Sequence, residues 1–198
     1  MKALIIVDAQ YDFMPGGALA VSEGDEIIPV INKMIPQVDL VVATQDWHPA
    51  DHLSFASQHK GRQPFDIIKL KGQDQVLWPD HCIQGSRGAE IHEEIDQHAI
   101  EAVFRKGMDR EIDSYSGFYD NNHERTTGLA GYLREKGAKE LYFCGLAADV
   151  CVFYSLKDSL EEGFYTILVK NGTRAINEDA FTEQLQVLEH KGLNIQVR

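Results

Sequence analysis

Residues able to do chemistry recur at the ends of apolar runs. Asp8 follows Ala3–Val7 (ALIIV), Asp46 and His48 follow Leu40–Thr44 (LVVAT), and Arg105 and Lys106 follow Ala102–Phe104. Cys151 lies shortly after Glu140–Cys144 (ELYFC), in the first turn of a predicted helix over Asp149–Glu162. A thiolate is a nucleophile, but a thiol is mostly protonated at pH 7, and an ammonium or a helix N-terminus favours the charged form. An acid in reach of the sulfur can take its proton and deliver it to a leaving amine. The expected division of labour is therefore Cys151 as nucleophile, Asp8 as acid and base, and Lys106 lowering the thiol pKa while orienting Asp8. Backbone N–H groups at Ala147 and Cys151 could hold an oxyanion. Taken singly, Asp8 reads as a turn residue, Lys106 as a solvated lysine and Cys151 as a small buried hydrophobe; their meeting at one place is what would give them a joint role. Cys144 is assigned to the core.

A second group is Asp46-Trp-His48-Pro-Ala-Asp-His52, with Trp78-Pro-Asp-His81-Cys downstream. An Asp and a His two apart share a face of an extended segment. Carboxylate and imidazole suit a divalent ion such as Zn²⁺, and Fe²⁺ or Mn²⁺ fit the same donors. Asp46, His48 and His81 form the expected set, which His52 could complete. Open positions would mark a catalytic rather than a structural ion. No CxxC pair is present, which argues against a closed thiolate site. His59, His92, His98, His123 and His190 read as scattered polar residues. Phe13 and Trp78 could sandwich a planar ring, or simply pack in the core.

Alternating strands and helices must position these groups. Helices are expected over Asp25–Ile35, His123–Lys136, Asp149–Glu162 and Phe181–Lys191, and further strands over Phe164–Val169 and Leu193–Val197. Continuous apolar strands between helices predict an α/β protein: three layers, with a mostly parallel sheet and helices on both faces. Ligands of such sheets bind beyond the carboxyl ends of the strands. The stretch from Asp46 to His92 breaks the rhythm, and a connection that long is usually functional. Residues 1–198 read as one domain with this excursion at about 46–92. The formal charge of −12 disfavours nucleic acid and anionic membranes as partners. No apolar run approaches the ~20 residues a membrane span needs, and no signal peptide is recognisable. Three scattered cysteines suggest a reducing, cytoplasmic setting. Composition does not distinguish a monomer from a homo-oligomer.

Five segments carry a resemblance that spans nearly the whole chain: ALIIVDAQYDFMPGGALAV, ATQDWHPADHLSF, LWPDHCIQGSRGAE, FRKGMDREIDSYSGF and CGLAADVCV. Together they resemble the nicotinamidase/pyrazinamidase family of isochorismatase-like cysteine hydrolases. The resemblance implies that fold, a catalytic triad of Asp8, Lys106 and Cys151, and metal ligands Asp46, His48 and His81, with His52 a fourth ligand in some members. It also implies a cis peptide at Leu146–Ala147. The activity it implies is hydrolysis of nicotinamide, with acceptance of pyrazinamide as well and no organic cofactor. The residues alone support a cysteine amidase beside a metal. The alternatives are another amidase or isochorismatase-like hydrolase of this scaffold, or a non-catalytic metal-binding protein. Isochorismatase, which cleaves a vinyl ether, lacks the cysteine and the metal set, and carbamoyl-amide hydrolases generally lack the metal segment.

Overall fold

Strand β1 (Lys2–Val7) lies at the centre of the sheet because both of its faces are apolar: Ala3 through Val7 are fully buried. A computed structural model describes all 198 residues. Helix α1 (Ile27–Met34) is followed by β2 (Leu40–Asp46), β5 (Ala102–Lys106), α2 (Leu129–Glu135), β6 (Glu140–Gly145), α3 (Phe153–Glu161), β7 (Tyr165–Thr173), α4 (Glu178–His190) and β8 (Asn194–Gln196). Between β2 and β5 stand β3 (Ile67–Leu70) and β4 (Gln73–Val76). Six strands form one parallel sheet in the order β5-β2-β1-β6-β7-β8, while β3 and β4 pair only with each other, antiparallel.

Strand alternation sorts the core into two layers. Leu4, Ile6, Val41, Ala43 and Tyr142 face α1, whose Ile27, Ile28, Ile31 and Met34 pack on them. Ile5, Val7, Val42, Leu141 and Phe143 face the other way, onto Leu129 and Leu133 of α2, Leu156 of α3 and Leu185 and Leu188 of α4. The excursion completes the first layer through Trp78, Cys82, Ala89, Ile91 and Ile95. The predicted three-layer parallel architecture is therefore present. No helix is long and apolar enough to cross a membrane.

Two predicted elements differ. The helix expected over His123–Lys136 begins only at Leu129. Upstream, one Asp120 carboxylate oxygen accepts the N–H groups of Asn122 and Glu124, and His123 adopts a left-handed φ of 56°. Thr127 donates its hydroxyl to the Gly117 carbonyl. Local polar bonds thus take the place of a helical turn. The excursion, read as aperiodic, contains the β3–β4 hairpin, whose largely exposed residues gave no alternating apolar signal.

Candidate active site

Register brings the separated segments to one edge. Asp46 pairs with Lys106 at the end of β2 and β5, and Val7 pairs with Gly145 where β1 and β6 end. Asp46 and Lys106 are thus the last residues of strands longer than the sequence suggests. Asp8 turns out of β1 at a left-handed φ of 45°, a conformation that is costly for a residue other than glycine and that clusters at functional sites. Thr44 secures it from the neighbouring strand, its hydroxyl donating to Asp8 Oδ1 at 2.6 Å. After β6 the chain must pass close to β1. A Cβ on Gly145 would sit 1.9 Å from the Val7 carbonyl oxygen, and its φ of +127° also favours glycine. The following Leu146–Ala147 peptide is cis, in agreement with the resemblance. Cys151 then lies in a single π-helical turn, Ala148–Val152, ahead of α3 rather than inside a regular first turn.

Lys106 is the hub, with its ammonium fully buried. It sits 2.6 Å from Asp46 Oδ1, 2.8 Å from Asp8 Oδ2, 2.9 Å from the Ser114 carbonyl and 3.4 Å from Cys151 Sγ. Donor atoms of Asp8, Asp46 and Cys151 lie within 4.8 Å of one another. Burial works against a charge on Lys106, but Asp46 and Asp8 outweigh it and hold the ammonium protonated well above the usual lysine range. Burial pushes Asp8 up, with Lys106 opposing. Burial also raises Asp46, yet Lys106 and His48 reverse this and keep it well below the usual carboxylate range. Burial pushes the Cys151 thiol well up, while Lys106 pulls it down as expected from the sequence. Asp8 is the carboxylate beside the sulfur, within reach of its proton.

The imidazoles stand next to this hub. His48 Nε2 and His81 Nε2 lie 3.6 and 3.9 Å from Asp46 Oδ2. Ligand atoms about 2.1 Å from one ion are roughly 3–3.5 Å apart, so a single cation would need to draw these donors only a few tenths of an ångström closer. His48 Nε2 is buried without a hydrogen-bond partner, as expected of a waiting ligand. Each ring is turned by its other nitrogen: Nδ1 of His48 donates to the Gly107 carbonyl and Nδ1 of His81 to the Pro79 carbonyl, both at 2.8 Å. The first contact requires a glycine, because a Cβ on Gly107 would lie 2.3 Å from the His48 ring. Burial and the neighbouring His48 push His81 down to about 4, leaving it neutral at pH 7, the form that binds metal. Chemically and by spacing, the donor set fits a divalent ion.

Cys151, Asp46 and His81 line one small cavity, with Phe13, Leu19, Trp78, Tyr115, Val150 and Ile176 in its apolar walls. The Ala147 N–H donates to no protein group and lines the same space. Phe13 and Trp78, proposed from sequence, are both present. Tyr115, Asp113, Leu19 and Ile176 were missed. Tyr115 and Asp113 lie in the segment after Lys106, within reach of a careful reading of that motif. Ile176 carries no local signal: it is brought over the cavity by Asp149, whose carboxylate accepts the N–H groups of Ile176 and Asn177, each at 2.9 Å.

Residues 2–196 match the model of the isochorismatase domain family. The chain belongs to the isochorismatase family. Among members of that family, a nicotinamidase of Acinetobacter baylyi is 47% identical over 175 residues, covering 88% of this chain and 82% of the relative. A solved structure described as an Acinetobacter baumanii nicotinamidase and pyrazinamidase superposes with a TM-score of 0.96 at 41% identity, covering 99% of this chain and 95% of the other. A pyrazinamidase of Pyrococcus horikoshii solved in complex with zinc superposes at 0.81 with 36% identity, over 100% and 99% of the two chains. The sheet order and site geometry described above are thus those of an isochorismatase-family chain.

Proposed function

We propose that this chain hydrolyses nicotinamide to nicotinate and ammonia, accepts pyrazinamide as well, and so serves pyridine nucleotide salvage. The observation that carries this reading is the Cys151 sulfur in reach of both Lys106 and Asp8, in a small aromatic-lined cavity shared with the metal-type donors Asp46 and His81. The activities named for the Acinetobacter and Pyrococcus relatives support the substrate class.

In the proposed reaction, Asp8 takes the thiol proton as Cys151 Sγ bonds to the amide carbon. The carbonyl electron pair moves to oxygen, where N–H groups of Ala147 and Cys151 stabilise it. The C–N bond then breaks, Asp8 gives its proton to the departing ammonia, and a thioester remains. Asp8 next removes a proton from a water that attacks the thioester, and returns it to the sulfur as nicotinate leaves. Lys106 holds Asp8 in place throughout. Asp46, His48 and His81 would hold one divalent ion, which we assign as zinc, with iron or manganese compatible with the same donors. When bound, the ion supplies a Lewis-acidic anchor for a ring nitrogen. Phe13 and Trp78 flank the ring. The three cysteines are free and buried, consistent with a reducing, cytoplasmic location.

The test is ammonia release from nicotinamide by the metal-loaded protein, with and without chelation, followed by metal analysis. Release that falls on chelation and returns with Zn²⁺ is expected. No release by metal-loaded protein overturns the assignment.

A further inference from the structure

The β3–β4 hairpin pairs with no other strand, and of the residues in its strands only Gln75 is buried, at 4% exposure. A carboxamide on an otherwise exposed hairpin is buried without cost only where its polar atoms find partners. Gln75 Nε2 meets three oxygens: the Val76 carbonyl at 2.7 Å, Tyr115 Oη at 2.9 Å and Asp113 Oδ2 at 3.3 Å. The Val76 carbonyl only accepts, as does an ionised Asp113, so the amide must present its nitrogen on this side.

Tyr115 Oη carries the contact onward. It also faces Trp78 Nε1 at 3.3 Å, and an indole N–H can only donate. The phenol oxygen therefore accepts from Gln75 on one side and from Trp78 on the other. Burial and Asp113 hold the phenol well above its usual pKa, so it is a neutral hydroxyl. Trp78 and Tyr115 stand edge to face, with ring centroids 6.1 Å apart and planes at 80°, and both line the cavity that holds Cys151. Aromatic pairs accept a range of offsets and tilts; a hydrogen-bonded chain from Gln75 through Tyr115 to Trp78 narrows that range. Gln75 itself stands behind this corner and does not line the cavity.

We propose that Gln75 is a positioning residue: its carboxamide, presented by the β3–β4 hairpin, braces the Trp78–Tyr115 corner against which the aromatic ring of the substrate packs. The inference rests on the functional reading above and gives the hairpin a role in it. Trp78 and Tyr115 come from segments 37 residues apart, and without Gln75 only their own 3.3 Å contact ties the two polar tips together. None of the Gln75 hydrogen bonds reaches Asp8, Lys106, Cys151 or the metal-type donors Asp46, His48 and His81. Its loss should therefore loosen ring binding and spare the chemical steps.

The experiment compares the metal-loaded full chain as wild type, Gln75→Met, Tyr115→Phe and the double variant Gln75→Met/Tyr115→Phe. Methionine fills nearly the space of glutamine and removes the donors, while Tyr115→Phe breaks the same bond without touching the hairpin. Turnover of nicotinamide is read beside the rate of Cys151 alkylation. Trp78 is read without substrate, by acrylamide quenching of its fluorescence in a Trp47→Phe background, since Trp47 is the only other tryptophan. Expected for each single variant are a KM raised about 10-fold and a kcat within about 2-fold of wild type, with unchanged alkylation and faster quenching of Trp78. The double variant should lose little more than Tyr115→Phe alone, because both changes remove the same bond. A Gln75→Met protein with KM within about 2-fold of wild type and unchanged quenching overturns the proposal. So does a fall of kcat and alkylation in step with the rise in KM, which would give Gln75 a general structural role. Fully additive losses in the double variant overturn the shared bond. If Gln75→Met does not fold, Tyr115→Phe decides: unchanged quenching and KM there overturn the brace. Wild type that releases no ammonia overturns the functional reading instead, and the quenching series, made without substrate, still decides whether Gln75 holds Trp78 through Tyr115.

Discussion

Asp8, Lys106 and Cys151 hang from the ends of β1 and β5 and from the turn after β6, whereas His48, His52 and His81 hang from the excursion between β2 and β5, which has little regular structure. The first wall is positioned by sheet register: pairing of Asp46 with Lys106 and of Val7 with Gly145 leaves few ways for the groups to miss one another. The second wall is positioned by hydrogen bonds at ring nitrogens: those of His48 and His81 donate to the Gly107 and Pro79 carbonyls, and that of His52 accepts from the Ser54 N–H. Lys106 joins them, since its ammonium touches both Asp8 and the metal-type donor Asp46. Damage to the first wall should therefore remove chemistry and leave metal in place, while damage to the second should loosen metal first.

The sharpest separation of the two walls is Cys151→Ala. Turnover should fall on the order of 10⁴-fold or more, as nucleophile deletions do in other covalent hydrolases, with zinc content unchanged by metal analysis. Lys106→Met attacks the link between the walls. It leaves two buried carboxylates facing each other, which should cost about 3–5 kcal/mol of stability in denaturant melts and weaken zinc retention together with activity.

The first wall was legible in the sequence and the second only partly so, for a physical reason. Two-sided burial wrote β1, β2 and β6 as unbroken apolar runs, so the residues after them could be placed at one sheet edge without coordinates. Asp46 and His48 follow the same logic. His81 could be nominated only as a histidine in an aperiodic stretch, because it is placed by the Cys82 turn and the Pro79 carbonyl rather than by a repeating pattern. The opposing effect of burial on the thiol is a tertiary property that a neighbouring lysine in a motif does not reveal. Asp149 and Ile176 meet across the fold, 27 residues apart, and nothing local announces their contact.

Smaller perturbations sharpen the contrast. Gly107→Ala adds a Cβ against the His48 ring at a left-handed φ of +65°. Zinc affinity in chelator competition should drop about 10-fold or more, while the Cys151 alkylation rate of the metal-free protein stays near wild type. The mildest effect is expected for Asp149→Asn, which removes one of the two acceptors holding Ile176 and Asn177. Loss of a bond worth about 1 kcal/mol should raise KM for nicotinamide by roughly 5-fold and spare kcat; an effect on kcat alone would show that Asp149 does more than hold the cavity rim.

Acid quenching of the enzyme during nicotinamide turnover, followed by peptide mass mapping, tests the covalent chemistry directly. One nicotinoyl group attached to the peptide bearing Cys151, and absent from Cys151→Ala, is the predicted result. Full turnover with no acylated peptide under conditions that preserve thioesters would contradict a cysteine nucleophile at the meeting point of Asp8 and Lys106.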